Sequence, residues 1–225
     1  SIVEKAITNN DKLNLLYCDF RILNYLRKNQ LNIFTNYSTI AYPDSSGVFF
    51  TLKVLLRKRI KSFQKLISTN IINDILINFH KHKMKLFLYG DTLDVLDSVK
   101  SRFKIEYPKI ESVGQIDGFS NSQDYIVDEI NKSCADVLMI GLGVPKQEIW
   151  LDKYYKSLNT RINITVGAYF SFYSRKFIRA PKILQIVHLE WLLRLIQEPM
   201  RLWKRYFIDF PNFFFTVLID KYRIK

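Results

Sequence analysis

Cysteine, glycine, proline and acidic residues are all scarce in this 225-residue chain, and each scarcity excludes something. The two cysteines, Cys18 and Cys134, lie about 116 positions apart. That spacing rules out a disulfide scaffold and reads as two reduced thiols in a cytosolic interior. With 3 His and no Cys-x-x-Cys or paired-His spacing, four ligands for a structural zinc are lacking, while a metal held by carboxylates stays open. No uninterrupted apolar run reaches the roughly 18 residues of a membrane-spanning helix. Ser1 to Asn10 also lacks the apolar stretch of a secretory signal, so the expectation is a chain that neither spans a membrane nor is exported. Only 21 Asp+Glu stand against 34 Lys+Arg, a net charge of +13. Such an excess points to a polyanionic partner: nucleic acid, an anionic membrane face or a phosphorylated substrate. Nucleotide bias in the source genome is a competing origin for part of the lysine.

What is present describes one globular domain with a small appendage, since 48% of residues are apolar and 15% aromatic. Six short β-type runs (Lys12 to Tyr17, Ser38 to Tyr42, Lys85 to Tyr89, Ile110 to Ile116, Asp136 to Ile140 and Ile162 to Val166) alternate with amphipathic stretches of helical length. The alternation predicts an α/β, Rossmann-like fold, with a largely parallel sheet and helices on both faces. Ligands in such sheets bind at the carboxyl ends of the strands. Three strands run directly into glycine, at Gly90, Gly141 and Gly167, out of only 7 Gly in the chain. A cleft where backbone approaches a ligand closely is expected along that edge.

After about residue 176 the strand pattern stops. Arg179-Ala180-Pro181 leads into a helical run from Lys182 to Gln197, then Pro199 and a further helix rich in Arg and Trp. From Arg175 onward 11 Lys+Arg face 4 Asp+Glu, so this stretch holds +7 of the +13. The chain therefore divides into an α/β catalytic domain over 1–175 and a C-terminal basic helical appendage over 176–225. Basic residues beside aromatic ones, from Tyr206 to Ile219, suit a segment lying on a membrane surface; packing as a final core helix is the alternative.

The densest motif runs from Asp136 to Trp150: an apolar strand, Gly141-Leu142-Gly143, then Val144-Pro145-Lys146-Gln147-Glu148. Pro145 suits the first turn of a helix, whose free N–H groups and dipole attract phosphate. The third glycine and the spaced acid of a dinucleotide fingerprint are missing, which argues against NAD. Gln147 and Glu148 suit hydrogen bonds to a nucleobase, ribose or sugar hydroxyl, although Glu148 also suits a helix N-terminus electrostatically.

Together with Val166-Gly167-Ala168-Tyr169-Phe170, Arg179-Ala180-Pro181 and Glu190-Trp191-Leu192-Leu193-Arg194-Leu195-Ile196-Gln197-Glu198-Pro199-x-Arg201, this motif resembles the WecG/TagA/CpsF family of bacterial glycosyltransferases. The order and spacing agree from Leu86 to Phe207, including Leu88-Tyr89-Gly90 and Gly118-Phe119. The resemblance implies transfer of a hexose or N-acetylhexosamine from a UDP-sugar to a polyprenyl-diphosphate-linked saccharide in surface polysaccharide biosynthesis. It further implies inversion at the anomeric carbon without a metal or other cofactor, and peripheral attachment to an anionic membrane surface on the cytoplasmic face of the cell membrane. Gly90, Gly141, Gly143, Pro145, Lys146, Gln147, Glu148, Gly167 and Arg179 are then the expected UDP-sugar-binding residues. Arg194 and Arg201 are expected to stabilise the departing diphosphate, or else to meet lipid phosphates or pair with Glu190 and Glu198.

Tyr42-Pro43-Asp44-Ser45-Ser46-Gly47-Val48 resembles the family's Asp-Gly-x-Gly-Val turn, which makes Asp44 the expected general base, with capping of a following helix as its alternative. Three departures occur in this third of the chain. Ser45 replaces a glycine, the family's Thr-x-Asn falls on Tyr17 to Asp19, where there is no Thr, and the stretch Arg59 to Gln64 keeps only its Arg. An altered sugar or acceptor preference is expected from them, with Asp19 as a substitute polar group. Two other readings stay open at this point. A non-catalytic subunit of a polysaccharide assembly complex is one; a basic nucleic-acid-binding module is the other, disfavoured because the charge gathers in a helical tail with no aromatic strand signature.

Overall fold

Runs rich in Leu, Ile, Val and Phe, each ended by a polar residue, Gly or Pro, form the strands of a six-stranded sheet. In the computed structural model, which describes residues 2–43, 68–119, 122–174 and 190–223, they are β1 (Leu13–Cys18), β2 (Thr39–Pro43), β3 (Lys85–Gly90), β4 (Glu111–Ile116), β5 (Val137–Gly141) and β6 (Ile162–Thr165). All pair in parallel, in the order β2-β1-β6-β5-β3-β4. Every residue of β1 and β6 is buried, as is all of β3 beyond Lys85. Burial of successive side chains, which point to opposite faces, means that both faces of the central strands are covered. The edge strand β4 is only half-buried.

The covering helices are α1 (Ile2–Asn9), α2 (Phe20–Leu26), α3 (Ser68–Lys81), α4 (Leu93–Glu106), α5 (Gln123–Lys132), α6 (Lys146–Tyr154) and the short α7 (Tyr169–Tyr173). One continuous core joins them to the sheet, with Leu16, Phe79, Leu88, Phe103, Ile130, Leu138 and Phe170 almost wholly enclosed. A chain of buried amides stitches β1 to β6: Asn163 donates to Asn14 Oδ1 at 3.0 Å and accepts from the Thr160 hydroxyl at 2.7 Å. Polar groups so paired escape the cost of burial and fix the strand register.

Beyond the sheet come α8 (Glu190–Gln197), α9 (Pro199–Lys204), a π-helical turn (Arg205–Asp209) and α10 (Phe210–Arg223). The expected break lies at Glu198, whose backbone is non-helical (φ −137°, ψ 60°), and Pro199 opens α9 where its missing N–H costs nothing. The π-helical turn and α10 are seated on the sheet domain. Phe213, 3% exposed, and Phe210 close on Phe20 of α2, with ring centroids 5.9 and 5.5 Å apart. Among the described residues no helix is long and apolar enough to cross a membrane.

Candidate active site

The carboxyl ends of β3, β5 and β6 bring together most of the residues singled out in the sequence. Gly90 and Gly141 face each other across β3 and β5. A side chain on Gly141 would collide with the Phe170 ring, 2.5 Å away, so α7 closes against β5 only because that position is bare. Gly143 differs: its surroundings are open, and its left-handed φ of 78° is what calls for glycine.

From Gly143 the chain enters α6 through a cis Val144–Pro145 peptide, with Pro145 at the capping position rather than inside the first turn as expected. Lys146, the first helical residue, is exposed. Gln147 and Glu148 turn inward and are fully buried. The Gln147 side-chain oxygen accepts the Gly167 N–H at 3.0 Å, and its nitrogen donates to Glu148 Oε1 at 2.6 Å. The backbone N–H of Gln147 is also taken, donating to the Gly143 carbonyl. Gln147 therefore clamps the start of α6 to the end of β6, and the phosphate cradle expected there loses the Gln147 and Gly167 N–H groups to the protein's own oxygens.

Glu148 Oε2 is buried and has no hydrogen-bond partner among the described residues. Burial is the main force lifting this carboxyl to a pKa of about 7, and the negative charge of Asp19 adds to it; hydrogen bonds from Gln147, its own amide and Thr165 pull the other way. Around it lie Thr165, to which no sequence motif points, and Tyr42 and Cys18, from the segments set against the family's Asp-Gly-x-Gly-Val and Thr-x-Asn stretches. The Thr165 hydroxyl accepts the Tyr17 N–H at 2.8 Å, and the Tyr42 hydroxyl donates to the Thr165 carbonyl at 2.5 Å. Cys18 is buried, its thiol pushed up to about 12 by desolvation first and by Asp19 and Glu148 next. Cys134, by contrast, is exposed.

Asp19, fully buried, caps α2 by accepting the N–H groups of Arg21 and Ile22. Its Oδ2 also receives the Arg21 guanidinium at 2.7 Å and that of Arg205, from the appendage, at 3.3 Å. Such a shared carboxylate ties three segments together: the end of β1, the start of α2 and the π-helical turn. Nothing in the local sequence signals Arg205, because its partner lies 186 positions earlier. A bidentate-capable guanidinium inside a basic tail was the one available clue.

Asp44 and Arg179 lie outside the described residues, as do the side chains of Arg194 and Arg201. What the structure gives for the first is its chain neighbour: β2 ends at Pro43, in register with Cys18 and one residue short of Asp44. Arg194 belongs to α8 and Arg201 to α9, on either side of the break at Glu198.

The family model for glycosyl transferases of the WecG/TagA/CpsF family matches residues 1–225. The chain belongs to this family. Among curated proteins it is 31% identical over 184 residues to an N-acetylglucosaminyldiphosphoundecaprenol N-acetyl-beta-D-mannosaminyltransferase of Bacillus subtilis, a match covering 82% of this chain and 70% of the relative. An enzyme of the same name from Bacillus spizizenii is 30% identical, over 78% of this chain and 66% of the relative. One from Staphylococcus aureus is 26% identical over 97% and 84%. A glycosyltransferase has to hold a donor and expose its anomeric carbon to an acceptor hydroxyl. In this family member the Gly141–Glu148 loop and Gly167 meet at the sheet's carboxyl edge, where Asp19 follows the end of β1 beside the end of β2.

Proposed function

We propose that this protein transfers a hexose or N-acetylhexosamine from a UDP-sugar to a polyprenyl-diphosphate-linked saccharide during assembly of a surface polysaccharide. The observation that carries the reading is the buried clamp of Gln147 on Gly167 and Glu148, which ties the start of α6 to the end of β6 at the sheet's carboxyl edge. Ligands of doubly wound sheets bind at such an edge. The mannosaminyltransferase names of the relatives supply the acceptor class, a diphosphoprenol-linked N-acetylglucosamine.

In the proposed reaction Asp44 takes the proton of the acceptor hydroxyl as that oxygen bonds to the anomeric carbon from the face opposite the leaving group. The bond from the anomeric carbon to the diphosphate oxygen breaks, and UDP departs with the electron pair. Inversion follows from the single displacement. The charge gathering on the diphosphate is met by Arg179, Arg194 and Arg201 in place of a metal. Gly143, whose surroundings are open, supplies room for the donor beside Gly90, Gly141, Pro145 and Lys146.

The appendage supplies the membrane side. Leu192 and Ile196, four residues apart on α8, are exposed, as are Met200 and Trp203 of α9, Phe207 of the π-helical turn, and Phe215 and Ile219, four apart on α10. Apolar side chains of this kind among Lys204 and other cations suit the headgroup boundary of an anionic bilayer. The division into a sheet domain over 1–175 and an appendage over 176–225, and a position on the cytoplasmic face, belong to the same proposal.

A thermal-shift panel of UDP, UDP-glucose, UDP-N-acetylglucosamine, UDP-N-acetylmannosamine and UDP-galactose tests the donor. A ligand at a hundred times its dissociation constant adds about 2.7 kcal/mol of stability, so the true donor and UDP itself raise the melting temperature measurably. No shift with any of these nucleotides removes the donor site.

A further inference from the structure

The neighbouring strands β3 and β5 send the chain in opposite directions. From β3 it passes through α4 to β4 at the edge of the sheet; from β5 it passes through α6 to β6 on the other side. Doubly wound sheets open a ligand crevice between two such strands, outside their carboxyl ends. In this sheet the crevice starts at the Gly90–Gly141 pair. The residue that follows Gly90 is Asp91, a carboxylate outside the expected site residues and unused by the proposed reaction. Its backbone is left-handed, with φ 50°, a conformation that Asp tolerates better than most side chains. The loop after β4 closes on the same turn. The Gly118 N–H donates to the Asp91 carbonyl at 3.0 Å. A side chain on Gly118 would stand 2.8 Å from the Leu142 side chain, 3.3 Å from the Gly90 Cα and 3.4 Å from the Asp91 nitrogen. Asp91 therefore lies beside the Gly141-Leu142-Gly143 turn.

The protein orients both oxygens of this carboxylate. Oδ1 accepts the Thr92 N–H at 2.9 Å, and Oδ2 accepts the Ser171 hydroxyl of α7. A carboxylate offers about four acceptor sites, so bonds of this kind fix its direction and still let it accept from a ligand. Thr92, next in the chain, stands at the N-cap of α4 without a side-chain cap bond, and its Oγ1 is buried with no hydrogen-bond partner among the described residues. A hydroxyl left unpaired in this way costs free energy that a polar ligand group offsets. We propose that Asp91 and Thr92 hold the ribose of the nucleotide donor, with Asp91 accepting hydrogen bonds from its 2′- and 3′-hydroxyls. The proposal rests on the UDP-sugar reading and adds which part of the donor lies at the end of β3. Chemistry selects the ribose. A carboxylate accepts from hydroxyls and repels phosphate, and in a nucleoside diphosphate a single methylene separates the sugar ring from the first phosphate oxygen. A diphosphate at the Gly141–Gly143 turn thus brings the ribose to the adjoining Gly90–Asp91 turn.

The test measures, by calorimetry on the full chain, the affinity for UDP and for 2′,3′-dideoxy-UDP in the wild type, Asp91→Gly and Asp91→Asn. Glycine adopts a left-handed backbone without strain, so Asp91→Gly removes the carboxylate and leaves the turn its conformation; the melting temperature without nucleotide checks its fold. A hydrogen bond to a charged group is worth about tenfold or more in affinity. The expected result is a wild type that binds UDP tenfold or more tightly than the dideoxy analogue. Asp91→Gly binds both nucleotides with the analogue's affinity, and Asp91→Asn, which keeps one acceptor oxygen, falls between. Equal affinity of the wild type for the two nucleotides overturns the proposal. A preference for UDP that persists in Asp91→Gly overturns it as well, even where both nucleotides bind more weakly, because Asp91 then acts only on the structure of the turn. Either outcome leaves the donor site standing, since UDP still binds. A wild type that binds neither nucleotide overturns the donor site and the proposal together. A ribose preference that is lost in Asp91→Gly, in a protein that transfers no sugar, upholds the ribose site and contradicts the transferase reading.

Discussion

At the scale of single residues, the site is defined by what burial does to ionisable groups. Glu148 sits without solvent, and its carboxyl is lifted from 4.5 to about 7. A carboxyl raised in the folded state favours the protonated form, so its contribution to stability is fully present below pH 4.5 and is lost as pH rises through 7. A shift of that size corresponds to on the order of 3 kcal/mol. Glu148→Gln, which keeps an oxygen for the Gln147 amide, should therefore match the wild type at pH 4.5 and exceed it in stability by up to about that amount at pH 8, as read by denaturant melts at both pH values. A constant difference across the range would show that Glu148 is not held above its ordinary value. The thiols give a simpler contrast. Cys18 is buried with its thiol pushed up to about 12, while Cys134 is exposed. Since the thiolate is the reactive form, native protein should titrate one thiol with a disulfide reagent and unfolded protein two.

At the scale of elements, the six strands are legible in the sequence to within a residue or so at each end. Apart from the mostly polar β4, each is a short apolar run, and Gly90, Gly141 and Pro43 fall at the ends of theirs. Strand order is not legible, because β1 pairs with β6 through residues such as Leu13 and Ile162 that any buried neighbour would satisfy. The Lys146-Gln147-Glu148 stretch reads as three polar groups available to a ligand, whereas α6 buries Gln147 and Glu148 along with Leu151 and, of the three, leaves Lys146 alone outside. That inward turn depends on Gly167 arriving from β6 with an N–H to give, which no local pattern reveals. The appendage carries the reverse lesson: its apolar tail reads as either an exposed face or a core helix, and it is both, since Phe213 is buried and Phe215 exposed. Removing a buried aromatic costs about 3–5 kcal/mol where the site cannot collapse. Phe213→Ala should accordingly speed amide exchange throughout α10 while leaving β1, β3 and β5 protected. Equal acceleration in the sheet would mean that the last helix is part of the main folding unit rather than a docked one.

At the scale of the molecule, scarcity of acid first allowed nucleic acid, membrane and phosphorylated substrate alike. The fold distributes that excess. Arg205 is spent inside, on Asp19; Arg27 and Lys28 line a cavity; Lys146 opens the helix beside the glycine turn. Of the departures from the family pattern, the one among the described residues is at Asp19, where the Thr-x-Asn segment lies; its carboxylate holds two arginines. Divergence at Asp19 is thus tied to how the appendage is seated, while the Gly141–Gly143 loop keeps its glycines. The most direct test of the proposed activity follows UDP release and glycosylated product with the preferred UDP-sugar and a short-prenyl, diphosphate-linked N-acetylglucosamine, for the wild type and Asp44→Asn. The expected outcome is UDP release only when both substrates are present, a fall of roughly 100-fold or more in turnover for Asp44→Asn, and unchanged UDP binding by that variant. Full turnover in Asp44→Asn, or no sugar transfer by the wild type from any of the four UDP-sugars, would contradict it.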